Sequence, residues 1–150
     1  MKIHPDFNDF VKALNDNNVE YVIIGAYALA FLGHPRATGD IDFWVRPEKD
    51  NALKLLTALN DFGFGTLNLT ADDILSGKII QLGFPPVRID LVTKLDGLDS
   101  GEILRSKVPG KLGTRDVWYL SKSAFLKNKR SSGRHKDLAD IELLGEKIDE

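Results

Sequence analysis

Hydrophobic and polar positions repeat with two periods along this chain, and each period predicts a different element. Over residues 6–15 the apolar positions recur with a helical period, which predicts an amphipathic helix. Residues 19–25 are rich in β-branched and aromatic side chains and predict a short strand that ends at Gly25. The Ala- and Leu-rich segment 26–33 then predicts a short helix.

Strand-like and helix-like segments alternate through the middle of the chain. The stretch DIDFWV predicts a strand, and residues 46–64 predict a helix that opens with Pro and acids and carries its leucines on one face. TADDIL is typical of a capped helical turn. The run KIIQLGFPPVRIDLVT predicts a hairpin, because two strand-like runs flank its Gly and Pro residues. Residues 97–108 predict a short helix, and residues 108–121 one or two strands.

The last segment of the chain is predicted to be helical. Residues 122–130 and 134–147 predict two helices joined at Ser131-Ser132-Gly133, although one continuous helix also fits the pattern. The order of elements predicts a single α/β (α+β) domain over residues 1–150, with a small mixed sheet and flanking helices. We expect its core over about residues 19–120 and a helical C-terminal element over about residues 121–147.

Composition narrows the possible chemistry. The 150 residues are 43% hydrophobic, which is enough for one buried core. The absence of cysteine excludes disulfides, thiolate metal sites and cysteine nucleophiles, and three scattered histidines argue against a zinc site. No stretch has the pattern of a signal peptide or of a membrane span, so we expect a cytoplasmic protein with no membrane partner.

Charge is unevenly distributed. A net charge of −2 argues against a general nucleic-acid-binding protein. Residues 121–136, however, contain six Lys or Arg residues and no acid. A solvated helix face is the simplest interpretation of such a segment.

Two carboxylates lie one residue apart in the strand predicted for DIDFWV. Side chains alternate along a strand, so Asp40 and Asp42 point to one face while the apolar residues point to the other. Such carboxylates repel each other unless a cation lies between them, and Mg²⁺ prefers carboxylate and phosphate oxygens. Asp90 interrupts the apolar strand VRIDLV and would complete a three-carboxylate cluster for phosphoryl transfer if the two strands are neighbours. A solvated strand end, or an ion pair of Asp90 with Arg88, is the plainer alternative.

A strand, a glycine and a helix precede these acids. Gly25 permits a tight turn, and the free N–H groups at the start of a helix favour an anion such as a triphosphate. Arg36 and Thr38, just before Asp40, would add a guanidinium and a hydroxyl as phosphate ligands. Each of these features alone is common in proteins of other function.

The combination resembles a known superfamily. IIGAYALAFLGHPRATGDIDFWV resembles the first motif of nucleotidyltransferases with a polymerase-β-like fold, and RIDLV is similar to their later strand with the third acid. KNKRSSGRHKDLADIELL is similar to the last helices of small prokaryotic members related to abortive-infection (AbiEii-type) toxins. The resemblance runs from about residue 19 to residue 144.

The resemblance implies an activity and its cofactors. It implies a nucleotidyltransferase that moves a nucleoside monophosphate from an NTP to a hydroxyl acceptor on RNA or tRNA, protein or a small molecule. Asp40, Asp42 and Asp90 would be the catalytic acids and would hold Mg²⁺ or Mn²⁺. A toxin role with an antitoxin partner is part of the same expectation.

The resemblance also implies a set of nucleotide-binding residues. These are Gly25, Ala26, Arg36, Thr38, Lys129, Arg134 and Lys136. Ala26 departs from the Gly-Gly or Gly-Ser pair of the family, because alanine keeps the backbone N–H but offers no hydroxyl. The alternative function is therefore a weakly active or inactive module that binds nucleotide, RNA or a partner protein. Asp137 and Asp140 are spaced to pair with basic residues within the last helix.

Overall fold

A computed structural model describes residues 3–35, 38–84 and 87–145 of the chain. Within these residues seven α-helices and six strands form. The helices are α1 (Pro5–Asp16), α2 (Gly25–Phe31), α3 (Lys49–Phe62), α4 (Ala71–Leu75), α5 (Ser100–Ser106), α6 (Lys122–Ser132) and α7 (His135–Leu143). The strands are β1 (Tyr21–Ile24), β2 (Asp40–Val45), β3 (Ile80–Phe84), β4 (Val87–Val92), β5 (Val108–Leu112) and β6 (Arg115–Tyr119). No helix among the described residues is both long and apolar enough to cross a membrane.

The strands form one mixed sheet in the order β3-β4-β2-β1-β6-β5. Strand β2 is antiparallel to β1 and parallel to β4. Strand β6 is parallel to β1, and the two outer pairs, β3–β4 and β5–β6, are antiparallel. The acid-bearing strands β2 and β4 are therefore direct neighbours near the middle of the sheet, which meets the condition set by the sequence pattern.

Strand β2 is anchored by its apolar face. Ile41 and Phe43 are fully buried, and the Phe43 ring lies edge-to-face against Phe10 of α1 and Tyr21 of β1. Burying a large apolar side chain stabilises a fold by about 1.5–3 kcal/mol. The two apolar residues therefore fix which face of β2 the intervening carboxylates occupy.

Local signals explain where several helices begin and end. The His4 side chain accepts a hydrogen bond from the Asp6 N–H and caps α1. Thr70 and Asp73 form a reciprocal capping box at the start of α4, as the TADDIL pattern predicted. Gly133 ends α6 with a φ of 66°, a left-handed conformation that favours glycine, so α6 and α7 are separate helices. The alternative of one continuous C-terminal helix is therefore wrong.

Candidate active site

The sheet register brings the three predicted acids together. In the parallel pair of β2 and β4, Asp42 lies opposite Asp90, and Asp40 lies opposite Arg88. Because side chains two residues apart share a face, all three carboxylates lie on the face opposite Ile41. We call Asp40, Asp42 and Asp90 the acid cluster.

Arg88 lies within the acid cluster. Its Nη2 donates a hydrogen bond to Asp40 Oδ2 over 2.9 Å, and its Nε donates to Asp90 Oδ1 over 3.0 Å. The guanidinium therefore bridges two of the three carboxylates. The ion pair of Asp90 with Arg88 is present, and it coexists with the three-carboxylate cluster.

Asp42 differs from the other two acids of the cluster, which are both paired with Arg88. None of the ion pairs formed by the described residues includes its carboxylate. Burial raises the pKa of Asp42 to about 6, and the charges of Asp90 and Asp40 add to that rise. Lys136 opposes the rise with its positive charge. An uncompensated carboxylate of this kind favours a bound cation.

Gly25 makes room for the Asp42 carboxylate. Gly25 has a φ of 65°, and its neighbour Ile24 lies opposite Asp42 in the β1–β2 pair. A Cβ atom on Gly25 would overlap Asp42 Oδ2. The side of Gly25 that lacks a side chain therefore faces the acid cluster. This role complements the predicted close approach of a triphosphate. Ala26 follows as the second residue of α2 and is half-buried.

Thr38 is engaged locally. Its Oγ1 accepts a hydrogen bond from the Asp40 N–H over 3.2 Å and lies 3.3 Å from the Asp40 carbonyl oxygen. These contacts fix the start of β2 and use the hydroxyl that was predicted to bind phosphate. Arg36, the other residue predicted in this loop, lies outside the described residues.

Two of the predicted C-terminal cations, the buried Lys129 and the exposed Arg134, pair with the buried carboxylate of Asp137. Lys129 is 9% exposed, and its Nζ lies 3.2 Å from Asp137 Oδ1 and 3.7 Å from Asp140 Oδ2. Arg134 Nε donates to Asp137 Oδ2 over 2.7 Å. Burial alone would raise the pKa of Asp137, but Arg134 and Lys129 outweigh it and lower the pKa. The contacts of Lys129 tie α7 to α6, which the sequence did not predict, whereas the pair of Arg134 with Asp137 has the i,i+3 spacing expected for the last helix.

A cleft of about 420 Å³ opens between the acid cluster and helices α6 and α7. Four basic and two acidic residues line it, so we call it the cationic cleft. They are Lys94, Lys129, Arg134, Lys136, Asp42 and Asp96. The cleft has the size and charge to take a triphosphate.

Two of these cations have exposed side chains and pair with no acid among the described residues. Lys136 and Lys94 form no ion pair with any described residue. Sequence reasoning missed Lys94, because it follows β4 singly and far from the basic run at residues 121–136. Its position just beyond the strand that carries Asp90 was the one available signal.

Known structures share this architecture. No family model and no curated protein matches the sequence. TM1012 from Thermotoga maritima, assigned as a nucleotidyltransferase, is 14% identical, with a TM-score of 0.52 over 96% of this chain and 91% of its own. The antibiotic-resistance factor ANT(2'')-Ia is 15% identical, with a TM-score of 0.58 over 93% of this chain and 80% of its own. The lincosamide antibiotic adenylyltransferase LnuA, bound to lincomycin, is 16% identical, with a TM-score of 0.54 over 97% of this chain and 98% of its own.

The chain has a nucleotidyltransferase fold. The predicted α/β class, with its mixed sheet and polymerase-β-like fold, is thereby confirmed. At these identities the likeness concerns the fold. The relationship to abortive-infection toxins stays a prediction.

Within this nucleotidyltransferase fold, the acid cluster suits a divalent cation in its chemistry. It offers only carboxylate oxygens, the hard ligands that Mg²⁺ and Mn²⁺ prefer. Burial first, and then the charges of Asp90 and Asp40, raise the pKa of Asp42, and a bound cation would offset both effects. Across residues 3–35, 38–84 and 87–145, no three His, Asp or Glu side chains form a ready-made metal site. Arg88 bridges Asp40 and Asp90 instead.

Proposed function

We propose that the protein transfers a nucleoside monophosphate from an NTP to a hydroxyl acceptor. The observation that carries this proposal is the acid cluster, in which Asp42 and Asp90 lie in register on adjacent strands and Asp42 forms no ion pair with any described residue. Asp42 of the cluster lines the cationic cleft, where a triphosphate would find positive charge.

The acid cluster is the proposed site of Mg²⁺ or Mn²⁺, with Asp40, Asp42 and Asp90 as ligands. When bound, such an ion polarises phosphoryl oxygens and lowers the pKa of a coordinated hydroxyl. Lys94 and Lys136, exposed at the cleft, would bind the triphosphate and the leaving pyrophosphate. Lys129 and Arg134, through their ion pairs with Asp137, would keep helices α6 and α7 in place beside the cleft.

The reaction forms one bond and breaks one bond. The acceptor oxygen attacks the α-phosphorus, the bond from that phosphorus to the β-phosphate bridging oxygen breaks, and pyrophosphate leaves. The acceptor hydroxyl loses its proton to a carboxylate, and Asp90 is the proposed base. Asp90 is 8% exposed, so water competes little for that proton.

The direct test is label transfer. The protein is incubated with Mg²⁺ and each α-labelled NTP, together with total tRNA, total protein or lincomycin. We expect transfer to one acceptor class and its loss in Asp42→Ala, whereas Asp72→Ala, an exposed aspartate on α4, stays active. Transfer that is equally fast in Asp42→Ala would refute the mechanism.

The two exposed cations of the cleft have their own test. Lys136→Met and Lys94→Met should each raise the KM for NTP by about tenfold, because each removes one charge–phosphate contact worth about 1.4 kcal/mol. Lys54→Met, at an exposed lysine of α3, is the matched control. An unchanged KM in both cleft variants would place the triphosphate elsewhere.

A second function has its own support. Arg88 already neutralises part of the acid cluster, and Ala26 lacks the hydroxyl of the family motif, which favours an inactive nucleotide- or partner-binding module. Binding of labelled NTP without transfer to any acceptor would establish that alternative. A toxin role predicts growth arrest on expression that Asp42→Ala relieves, and an antitoxin partner predicts a second protein that co-purifies with the wild type.

A further inference from the structure

The edge strand β3 extends the acid-bearing face of the sheet. In the antiparallel pair of β3 and β4, Gln81 lies opposite Asp90 and Gly83 lies opposite Arg88. Asp90 in turn lies opposite Asp42 on β2. Gln81, Asp90 and Asp42 therefore follow one another across the sheet. Directly opposite residues of an antiparallel pair have Cβ atoms about 4.5–5.5 Å apart, so the Gln81 amide lies within reach of a molecule bound at Asp90.

The Gln81 side chain is available to such a molecule. It is exposed, lies on an edge strand and forms no side-chain hydrogen bond with any described residue. Gly83, beside it, presents no side chain opposite Arg88. A Cβ atom there would lie 2.8 Å from the Val87 carbonyl oxygen, and the φ of Gly83 is 83°. Position 83 therefore requires glycine, and β3 carries no side chain there beside Gln81.

The position of the cationic cleft indicates whether Gln81 contacts the nucleotide or the acceptor. Lys94 lies beyond the C-terminal end of β4, whereas Arg88 lies on the N-terminal side of Asp90. Ile79 lines the cleft, but Gln81 does not. In-line transfer places the acceptor oxygen opposite the leaving pyrophosphate. With the triphosphate in the cleft, the acceptor approaches from the side of Arg88 and Gly83.

We propose that Gln81 binds the acceptor, and that the acceptor is an uncharged hydroxyl compound of the polyol or sugar type. This inference rests on the proposed nucleotidyl transfer. Residues 79–84 contribute no charged side chain, and Arg88 beside them is already paired with Asp40 and Asp90, so β3 itself offers no charged partner to an acceptor. A primary amide both donates and accepts hydrogen bonds, which suits neighbouring hydroxyl groups.

The test separates acceptor binding from nucleotide binding. Label transfer from α-labelled NTP is measured with glycerol, glucose and myo-inositol, and in parallel with kanamycin, total tRNA and casein. Gln81→Met keeps the length of the side chain and removes its hydrogen bonds. We expect it to raise the KM for the acceptor about tenfold and to leave the KM for NTP unchanged. Phe84→Ala, at an 86% exposed residue of the same strand, is the control and should change neither constant.

Each outcome has a distinct meaning. Wild-type transfer to a polyol or sugar, with a selective acceptor defect in Gln81→Met, supports the inference. Transfer with an unchanged acceptor KM in Gln81→Met, or with a changed KM for NTP, overturns the role of Gln81 and leaves the proposed function standing. Transfer only to kanamycin, tRNA or casein overturns the acceptor class. Absence of transfer to every acceptor overturns the proposed function and this inference together.

Discussion

Replacing Asp42 with asparagine should stabilise the protein at neutral pH in the absence of divalent cations. Burial and the charges of Asp90 and Asp40 raise the pKa of Asp42 to about 6. At pH 7 the folded state therefore holds an ionised carboxylate at a position that favours the neutral form. Asparagine has nearly the same shape and no charge, so it removes this repulsion.

The size of the gain follows from the shift in the Asp42 pKa. Its ordinary value is 3.8, and a rise to about 6 corresponds to an upper limit of about 3 kcal/mol at 1.36 kcal/mol per pKa unit. Water reaches part of the side chain and screens the repulsion. We therefore expect Asp42→Asn to raise the free energy of unfolding by about 1–2 kcal/mol at pH 7.5.

The sign of this effect depends on pH in a defined way. A carboxyl group whose pKa is higher in the folded state than in the unfolded state lowers the free energy of unfolding. This loss is absent at pH values below the unfolded-state pKa and complete at pH values above the folded-state pKa. The difference between variant and wild type should therefore be largest at pH 7.5, fall between pH 6 and 4, and be small at pH 4.

The assay is urea denaturation followed by circular dichroism, with EDTA, at pH 7.5, 6, 5 and 4. Asp73→Asn is the control of opposite sign. Hydrogen bonds from the Thr70 backbone and hydroxyl lower the pKa of Asp73, so this variant should lose stability at pH 7.5. An Asp42→Asn variant that is no more stable than the wild type at pH 7.5, or whose advantage is as large at pH 4 as at pH 7.5, would refute the reasoning.

Magnesium should reverse the ranking. A ligand present at 100 times its Kd stabilises the folded state by about 2.7 kcal/mol. We expect Mg²⁺ to stabilise the wild type in the same assay and to leave Asp42→Asn unchanged. The substitution that increases stability without metal is thus expected to remove both metal-dependent stabilisation and transfer activity.

Two further predictions concern the frame of the site, and both are measured by urea denaturation. Gly25→Ala should cost about 2–3 kcal/mol, because it strains a left-handed residue and displaces the Asp42 carboxylate. Gly63→Ala, with a φ of 105° and open space around it, should cost less, and equal losses would contradict the steric argument. Asp137→Ala should cost about 3–5 kcal/mol, because it leaves Lys129 buried without its nearest partner. Adding Lys129→Met should recover part of that loss, and a purely additive double variant would count against the pairing.

Local pattern was enough to predict the two faces of β2. Acidic and apolar residues alternate over positions 40–43 with the strand period of two. Ile41 and Phe43 therefore share one face of β2, and that face is the buried one. The third acid was predicted conditionally, because its place depends on which strand lies beside β2. That pairing joins residues about fifty positions apart, and no local period encodes it.

Side-chain competition explains what sequence reasoning could not resolve. Thr38 was predicted as a phosphate ligand, and in the structure its hydroxyl contacts the backbone of Asp40. Gly25 was assigned to a triphosphate, and the structure shows Asp42 against the side where a Cβ atom would lie. Both cases depend on distances between elements, which residue type and spacing do not determine.

The basic run at residues 121–136 shows the same limit most clearly. Gly133 ends α6, and the turn after it places Asp137 of α7 beside Lys129 of α6. The buried Asp137 carboxylate therefore pairs with both Lys129 and Arg134. Lys136 directly precedes Asp137, yet it is exposed, and its charge lowers the pKa of Asp42 across the cleft. Neighbours in sequence therefore serve different purposes, one holding two helices together and the other facing the acids. The charge pattern of the sequence could not distinguish the basic residues that pair with Asp137 from Lys136, which faces the acids. The distinction depends on which side of α7 each residue occupies.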